Sequence, residues 1–399
     1  MNSKSAFAPP AASLWIVAGL AMGPAIALGL GRFAYALLLP TMRADLNWSY
    51  ADAGAMNTAN AAGYLLGATV AAPIARRIGT KQTFMAGILA TALAIAGSGF
   101  TSQFTALMSL RVLAGMTGAL AFVAGGAITT AISGSASRAP LALGIYFSGG
   151  GFGIAMSALT VPMLLEAVGW QGGWLVLGGL GLTASLLALP ALLRAPLPAE
   201  QSAVRASPWS PAKIAVLLTG YVLFGAGYIA YATFIIAQLR TSSRFVPREI
   251  SLFWAFLGCA AIIGVFVWGP ILTRLKGGRG AAAVISIVTL GSLLPLVSAS
   301  RPIAYLSALL FGGSFLSVIT AVTSFARRAA PPEAWTKAIA ALTVAFGIGQ
   351  CVGPLLSGYL SDGPDGVRSG LECSVAILVA SATLIAFQRE RAAPESAGE

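Results

Sequence analysis

The sequence predicts an all-α membrane protein, twelve transmembrane helices arranged as two pseudo-symmetric six-helix bundles. Three observations predict it. Of 399 residues, 57% are hydrophobic and 9% are charged, too little polar surface to keep a chain of this size in water. The apolar residues form long blocks, each near the roughly 20 residues a helix needs to cross a bilayer core, and nothing alternates with the period of a barrel strand. Short motifs also recur at one offset close to half the length.

The apolar blocks place spans near 13–39, 51–75, 82–101, 106–132, 140–165, 172–193, 212–239, 249–272, 280–299, 302–325, 335–360 and 370–387. The first block is too long for the hydrophobic core of a signal peptide and contains Arg32, so it is expected to stay as the first span. The longest polar interruption, Arg194 to Pro211, is rich in Pro, Ala and Ser, which is a linker composition. It divides the chain into a bundle at 1–193, a cytoplasmic linker at 194–211 and a bundle at 212–399.

The formal net charge is +12. The basic residues follow membrane topology rather than a nucleic-acid footprint, so no nucleic-acid partner is expected. With the N-terminus inside, 16 of them (Lys4, Arg76, Arg77, Lys81, Arg138, Arg194, Arg205, Lys213, Arg274, Lys276, Arg279, Arg327, Arg328, Lys337, Arg389 and Arg391) fall on the cytoplasmic side. Six (Arg43, Arg240, Arg244, Arg248, Arg301 and Arg368) fall on the other. That bias predicts a multi-pass protein of the cell inner membrane with both termini cytoplasmic. There is no histidine, and Cys259, Cys351 and Cys373 lie in apolar helices without metal-ligand spacing. No metal site and no cofactor are expected, and the thiols are expected to be free and buried.

The halves repeat. Gly29-Leu-Gly31-Arg-Phe-Ala34-Tyr35 matches Gly225-Ala-Gly227-Tyr-Ile-Ala230-Tyr231 at an offset of 196. Gly151-Phe-Gly153 matches Gly347-Ile-Gly349 at 196, and Pro73-Ile-Ala-Arg-Arg77 matches Pro270-Ile-Leu-Thr-Arg274 at 197. A parallel repeat of six-span halves is a transporter architecture.

The loop Ala72-Pro-Ile-Ala-Arg76-Arg77-Ile-Gly79-Thr-Lys81 resembles the G-x-x-x-D-R-x-G-R-K motif of the major facilitator superfamily. Arg77, Gly79 and Lys81 fit, whereas Arg76 replaces the usual Asp and Thr80 the usual Arg. Span 4 carries Arg111-x-x-x-Gly115-x-x-Gly118, similar to that family's span-4 motif, with Ala114 where Gln is common. Span 5 lacks a clean Gly-Pro pair, and Gly353-Pro354 appears in span 11. GLGRFAYALLLP, from Gly29 to Pro40, with NTANAAGYLLGA, from Asn57 to Ala68, resembles the bacterial YbfB/YjiJ-type subgroup. The resemblance covers essentially the whole chain. It implies a secondary transporter, not an enzyme, that works by alternating access around a central cavity lined by spans 1 and 4. It also implies gating roles for Arg77, Gly79, Lys81 and, by repeat, Arg274.

Arg32 is the strongest site candidate. An arginine at the middle of a membrane helix costs about 2.5–3.5 kcal/mol on insertion scales, so it must face protein or water. It either meets cargo or ties down backbone carbonyls, and Arg111 faces the same choice. Asn57, Asn60 and Tyr64 share one helical face at i, i+3 and i+7, where they orient Arg32, bind substrate or glue helices. Tyr35, Tyr228 and Tyr231 lie on repeat-related faces, with Tyr228 in the slot equivalent to Arg32. Gln350 and Trp254 are weaker candidates, and the Gly149–Gly151 and Gly347/Gly349 clusters suit close packing or hinges.

Asp52, Glu166, Glu249 and Glu372 all sit near span ends, leaving mid-span charge to arginine. Fixed positive charge in a low-dielectric cavity attracts anions, and a guanidinium forks onto a carboxylate. The expected cargo is a small, carboxylate-like organic anion. The protein is expected to be a monomer whose partners are that substrate and the lipid bilayer. A broad-specificity exporter of lipophilic compounds is the alternative. A membrane sensor is remote, because only 11 residues follow Gln388.

Overall fold

The computed structural model describes residues 11–133, 139–197, 209–275 and 277–388. Lys4, Arg138, Arg205, Lys276, Arg389, Arg391 and most of the expected linker lie outside the described residues. Long helices follow the expected spans closely. We label them α1 (Leu14–Asp45), α2 (Tyr50–Ile78), α3 (Thr80–Gly97), α4 (Phe104–Ser133), α5 (139–168), α6 (170–194), α7 (Ala215–Thr241), α8 (Pro247–Arg274), α9 (Arg279–Val297), α10 (Arg301–Ala329), α11 (Trp335–Ser361) and α12 (Val367–Ala386).

Ten helical segments among the described residues are long and apolar enough to cross a membrane. One of the ten is the 56-residue stretch Ala139–Arg194, which breaks at Gly169 (φ 64°). Its limbs α5 and α6 run in opposite directions. Gly149 and Gly153 meet Ala21 and Ala25 in rising order along α1, whereas Gly173, Gly181 and Gly19's partner Ala191 meet it in falling order. The 29-residue α2 is a further rod of spanning length, more polar because it carries Asn57, Asn60, Arg76 and Arg77.

Local chemistry sets the ends. Ser49 and Asp52 form a reciprocal cap at the start of α2, and Gly79, at φ 94°, ends it. Glu249 accepts from the Val246 N–H (3.1 Å) at the start of α8, where Pro247 occupies the first turn. The first span was expected to stop near residue 39; it continues through Pro40 to Asp45. Its middle is an underwound segment, Ala25–Phe33, in which the Ala34 N–H reaches back five residues to the Gly29 carbonyl (2.9 Å). Such wide turns gather at functional positions, and this one contains Arg32.

The sequence repeat is a repeat of contacts. A Cβ on Gly67 would lie 2.2 Å from the Met116 carbonyl oxygen, and one on Gly264 would lie 1.9 Å from that of Gly313. Gly115 meets the Asn60 carbonyl just as Gly312 meets that of Leu257. All four residue correspondences have an offset of 197, so α2 packs on α4 as α8 packs on α10. Small residues let membrane helices approach this closely.

Large apolar side chains such as Leu159, Leu186, Ile263 and Val352 point outward and are exposed, as a chain surrounded by lipid requires. This also corrects the expectation that all three thiols are buried. Cys259 is exposed and Cys351 and Cys373 are half-buried, because an apolar residue in a span can face lipid as readily as protein.

The helix ends separate into two faces. On the face that carries the described chain ends, Arg194 stacks on Trp15, Lys81 bonds the Leu193 carbonyl and Lys337 bonds the Trp209 carbonyl. On the opposite face, Arg43 lies over Tyr50, Arg301 pairs with Glu249 and Arg368 pairs with Glu372.

Candidate functional site

Arg32 sits at the junction of the chain halves, 3% exposed. Its Nε donates to Asn60 Oδ1 (3.0 Å) and its Nη1 to Gln350 Oε1 (3.1 Å). Its Nη2 is buried and has no hydrogen-bond partner among the described residues. The guanidinium lies 4.6 Å from the Tyr64 ring centroid, close enough for the ring face to stabilise its charge. Gln350 in turn donates its Nε2 to the Tyr228 hydroxyl. One carboxamide therefore bridges Arg32 and Tyr228, the two residues that occupy equivalent slots of the repeat.

Helical spacing explains the grouping. Asn60 and Tyr64 are one turn apart on α2, and both meet Arg32. Phe346 and Gln350 are one turn apart on α11, and both meet Tyr228. Tyr228 belongs to a stack of nearly parallel rings with Phe224 (5.0 Å), Phe346 (5.4 Å) and Phe315 (6.0 Å). Sequence reasoning missed these phenylalanines, although Phe224 precedes Tyr228 by the same single turn.

Arg111 has a different environment from the one expected of a cargo ligand. Its Nη1 donates to the Gly31 carbonyl and its Nε to that of Met56 (3.5 Å), while Tyr35 and Trp174 flank it at 5.0 and 5.4 Å. Its own carbonyl accepts from Asn60 Nδ2 (3.2 Å). Arg111 thus clasps α1, α2 and α4 next to the underwound segment, with Nη2 the donor left without a partner among the described residues. Tyr35 gives its hydroxyl to the Ala53 carbonyl (2.9 Å) and stacks on Trp174. Tyr231 shares a hydrogen bond with Ser307 (2.6 Å) against Phe311. The structure therefore does not bring Tyr35 or Tyr231 to the Arg32 cluster. A phenol in an apolar helix serves equally as a cavity wall or as a tie between helices, and both hydroxyls here are hydrogen-bonded to a neighbouring helix.

Asn57 crosses between the halves by donating to Thr233 Oγ1 (2.6 Å), with its Oδ1 unpartnered. Trp254, at the repeat-equivalent position, is fully buried with its Nε1 unpartnered. Two further cross-half links had no sequence signal of their own. Asp362 accepts from the Tyr50 N–H (2.7 Å) and the Ala51 N–H (3.0 Å), capping α2 from the end of α11. Thr58 donates to the Cys351 carbonyl (2.7 Å). These links, with Arg240–Thr41 (3.3 Å), lie at the level of Arg32 or toward the face opposite the chain ends.

The gating candidates stand at helix ends. Gly79 turns between α2 and α3, Lys81 binds the Leu193 carbonyl (3.1 Å) within its own half, and Arg77 and Arg274 are exposed. Neither Arg32 nor Arg111 meets a carboxylate among the described residues. The ion pairs described, Arg301–Glu249 (2.9 Å) and Arg368–Glu372 (2.8 Å), are on the surface. No group of metal-ligating side chains occurs among the described residues.

A helical fold with a repeat of six rods and a buried polar cluster at the seam points to a carrier. The family profile described as "Uncharacterised MFS-type transporter YbfB" matches residues 24–386. The chain belongs to that family. It is therefore a membrane protein of the MFS type with many spanning helices. Among curated relatives it is 27% identical over 258 residues to a chloramphenicol resistance protein of Streptomyces lividans, covering 62% of this chain and 64% of that one. It is 27% identical over 287 residues to monocarboxylate transporter 11 of Mus musculus, covering 70% and 61%. It is 29% identical over 154 residues to the 2-nitroimidazole transporter of Escherichia coli K12, covering 38% of each. The chain thus spans less than two thirds of the length of these relatives. Its fold matches the nucleoside transporter NupG (TM-score 0.71, 14% identity, covering 94% of this chain and 96% of that one). It also matches a bacterial homologue of the lysosomal transporter Spinster in its inward-facing, occupied conformation (TM-score 0.71, 16% identity, 98% and 100%).

Proposed function

We propose that this transporter moves a small, carboxylate-like organic anion across the bacterial inner membrane by alternating access. The moving parts are the bundles 1–193 and 212–399, joined by a cytoplasmic linker at 194–211, in a monomer with both termini inside. The observation that carries the reading is the Arg32 guanidinium, buried at the seam between the halves without a carboxylate and with one donor unpartnered. A buried cation of this kind is stabilised by a neutralising partner, and a cargo anion supplies one. The similarity to monocarboxylate transporter 11 supports the choice of charge.

The test is counterflow in proteoliposomes with a panel of labelled organic acids. Uptake that depends on Arg32 is expected, and uptake unchanged in Arg32→Ala removes the assignment. A second reading, broad-specificity export of lipophilic compounds, is favoured by the aromatic stack around Tyr228 and by the similarity to the chloramphenicol resistance protein and the 2-nitroimidazole transporter. Drug susceptibility of a strain lacking the chain separates the two, since the anion reading expects no shift for lipophilic cations.

A further inference from the structure

We propose that Gln350 is the protein's own stand-in for the cargo carboxylate. Its side-chain oxygen holds Nη1 of Arg32, one of the two nitrogens an end-on grip of the cargo uses, so cargo binding competes with a bond between the chain halves. This rests on the organic-anion reading above and names the residue that sets its selectivity.

A guanidinium holds a carboxylate through two adjacent donors. Arg32 has Nη2 free, Nη1 given to Gln350 and Nε given to Asn60. A grip through Nε and Nη2 therefore evicts Asn60, one through Nη1 and Nη2 competes with Gln350 for Nη1, and the two carboxamides are not equally held. Asn60 belongs to the same chain half as Arg32 and spends its other end on the Arg111 carbonyl, inside the clasp of α1, α2 and α4. Gln350 comes from α11 in the other half and keeps its bond to the Tyr228 hydroxyl after its oxygen is released. Freeing Nη1 for the cargo thus breaks one hydrogen bond and disturbs no clasp.

The exchange also discriminates. An amide oxygen and a carboxylate oxygen are similar acceptors in size, but the bond from a guanidinium to a carboxylate is roughly twice as strong as one to a neutral group. A carboxylate displaces Gln350 with a gain. A neutral amide replaces one carboxamide by another and gains little. The site therefore rejects uncharged isosteres of its cargo without carrying a repulsive group.

The test uses the purified full chain and ligand-induced thermal stabilisation. Acetate, lactate, benzoate and succinate are titrated, each against its uncharged amide, and the acid that stabilises the wild type most is the probe. Gln350→Glu places a tethered carboxylate beside Arg32 at high effective concentration and is expected to weaken the probe at least threefold. Gln350→Ala removes the competitor and is expected to bind the probe no more than threefold weaker than wild type, or more tightly. A Gln350→Glu protein within threefold of wild type overturns the proposal, as does a Gln350→Ala protein more than threefold weaker. If Gln350→Glu fails to purify as a monodisperse species, Gln350→Ala decides alone. A wild type stabilised by no acid, or equally stabilised when Arg32 is replaced by Ala, overturns the anion reading itself, which is a separate result.

Discussion

Arg32 and Gln350, 318 positions apart in sequence, share a buried hydrogen bond of 3.1 Å. Through Gln350 the bond continues to Tyr228, the repeat counterpart of Arg32. A polar link between the two chain halves therefore runs through the best candidate for cargo contact.

Arg32→Lys keeps the charge but loses the planar fork. One ammonium does not reproduce the separate donors given to Asn60 and Gln350. A hydrogen bond to a charged group is worth about 1.5–3 kcal/mol, so transport is expected to fall roughly tenfold or more. Initial rates in proteoliposomes check this, and a variant with the wild-type rate contradicts a forked contact.

Arg111→Met acts on stability first. It strips the Gly31 and Met56 carbonyls of their guanidinium partner and unseats the Tyr35–Trp174 pair. Each stranded buried polar group costs about 1–3 kcal/mol, so a loss of about 2–5 kcal/mol is expected. Melting of the detergent-solubilised protein measures it. The change in anion affinity should be smaller than for Arg32→Ala.

The Asn57–Thr233 bond joins the halves at 2.6 Å. Interhelical hydrogen bonds in membranes couple by about 0.6 kcal/mol on average and rarely above about 1.7 kcal/mol. A double-mutant cycle with Asn57→Ala and Thr233→Val is expected to return a coupling in that range. A value near zero would mean that the two side chains do not hold the seam.

Asp362→Ala removes the acceptor that caps α2 from the far end of α11. Two backbone N–H groups lose their partner on the face opposite the chain ends. With the three native cysteines replaced by alanine, a cysteine at Ala51 is expected to react faster with a membrane-impermeant thiol reagent when Asp362 is absent. Equal rates would show that this cap does not hold the face closed.

Gly67→Val and Gly264→Val should be destabilising to a similar degree, because each added Cβ meets a backbone carbonyl at repeat-related positions, 2.2 and 1.9 Å away. Overpacking of this kind costs about 1–3 kcal/mol. Melting temperatures of the two variants, compared side by side, read out the symmetry of the packing.

Sequence alone determined the helical class, the ends of nearly every rod and the repeat of short motifs at one offset. Apolar block length, Gly and Pro punctuation and a constant offset are properties of neighbouring or equally spaced residues, legible without coordinates. It also identified Arg32, Asn60, Tyr228 and Gln350 as the polar residues to watch, because a polar group inside an apolar helix stands out by composition. Only the tertiary structure decided what each one touches. Arg111 and Arg32 look alike in sequence, yet one is bound to carbonyls of Gly31 and Met56 and the other reaches across the seam to Gln350. Tyr231 and Tyr228 are one turn apart, yet one is tied to Ser307 and the other to Gln350. The underwound turn at Ala25–Phe33 and the capping of α2 by Asp362 left no readable trace. The physical reason is that the direction of a side chain around its helix, and its partner 300 residues away, depend on how the rods are turned against each other. That rotation is set by close packing summed over many glycine and alanine contacts and is not encoded in any short stretch of sequence.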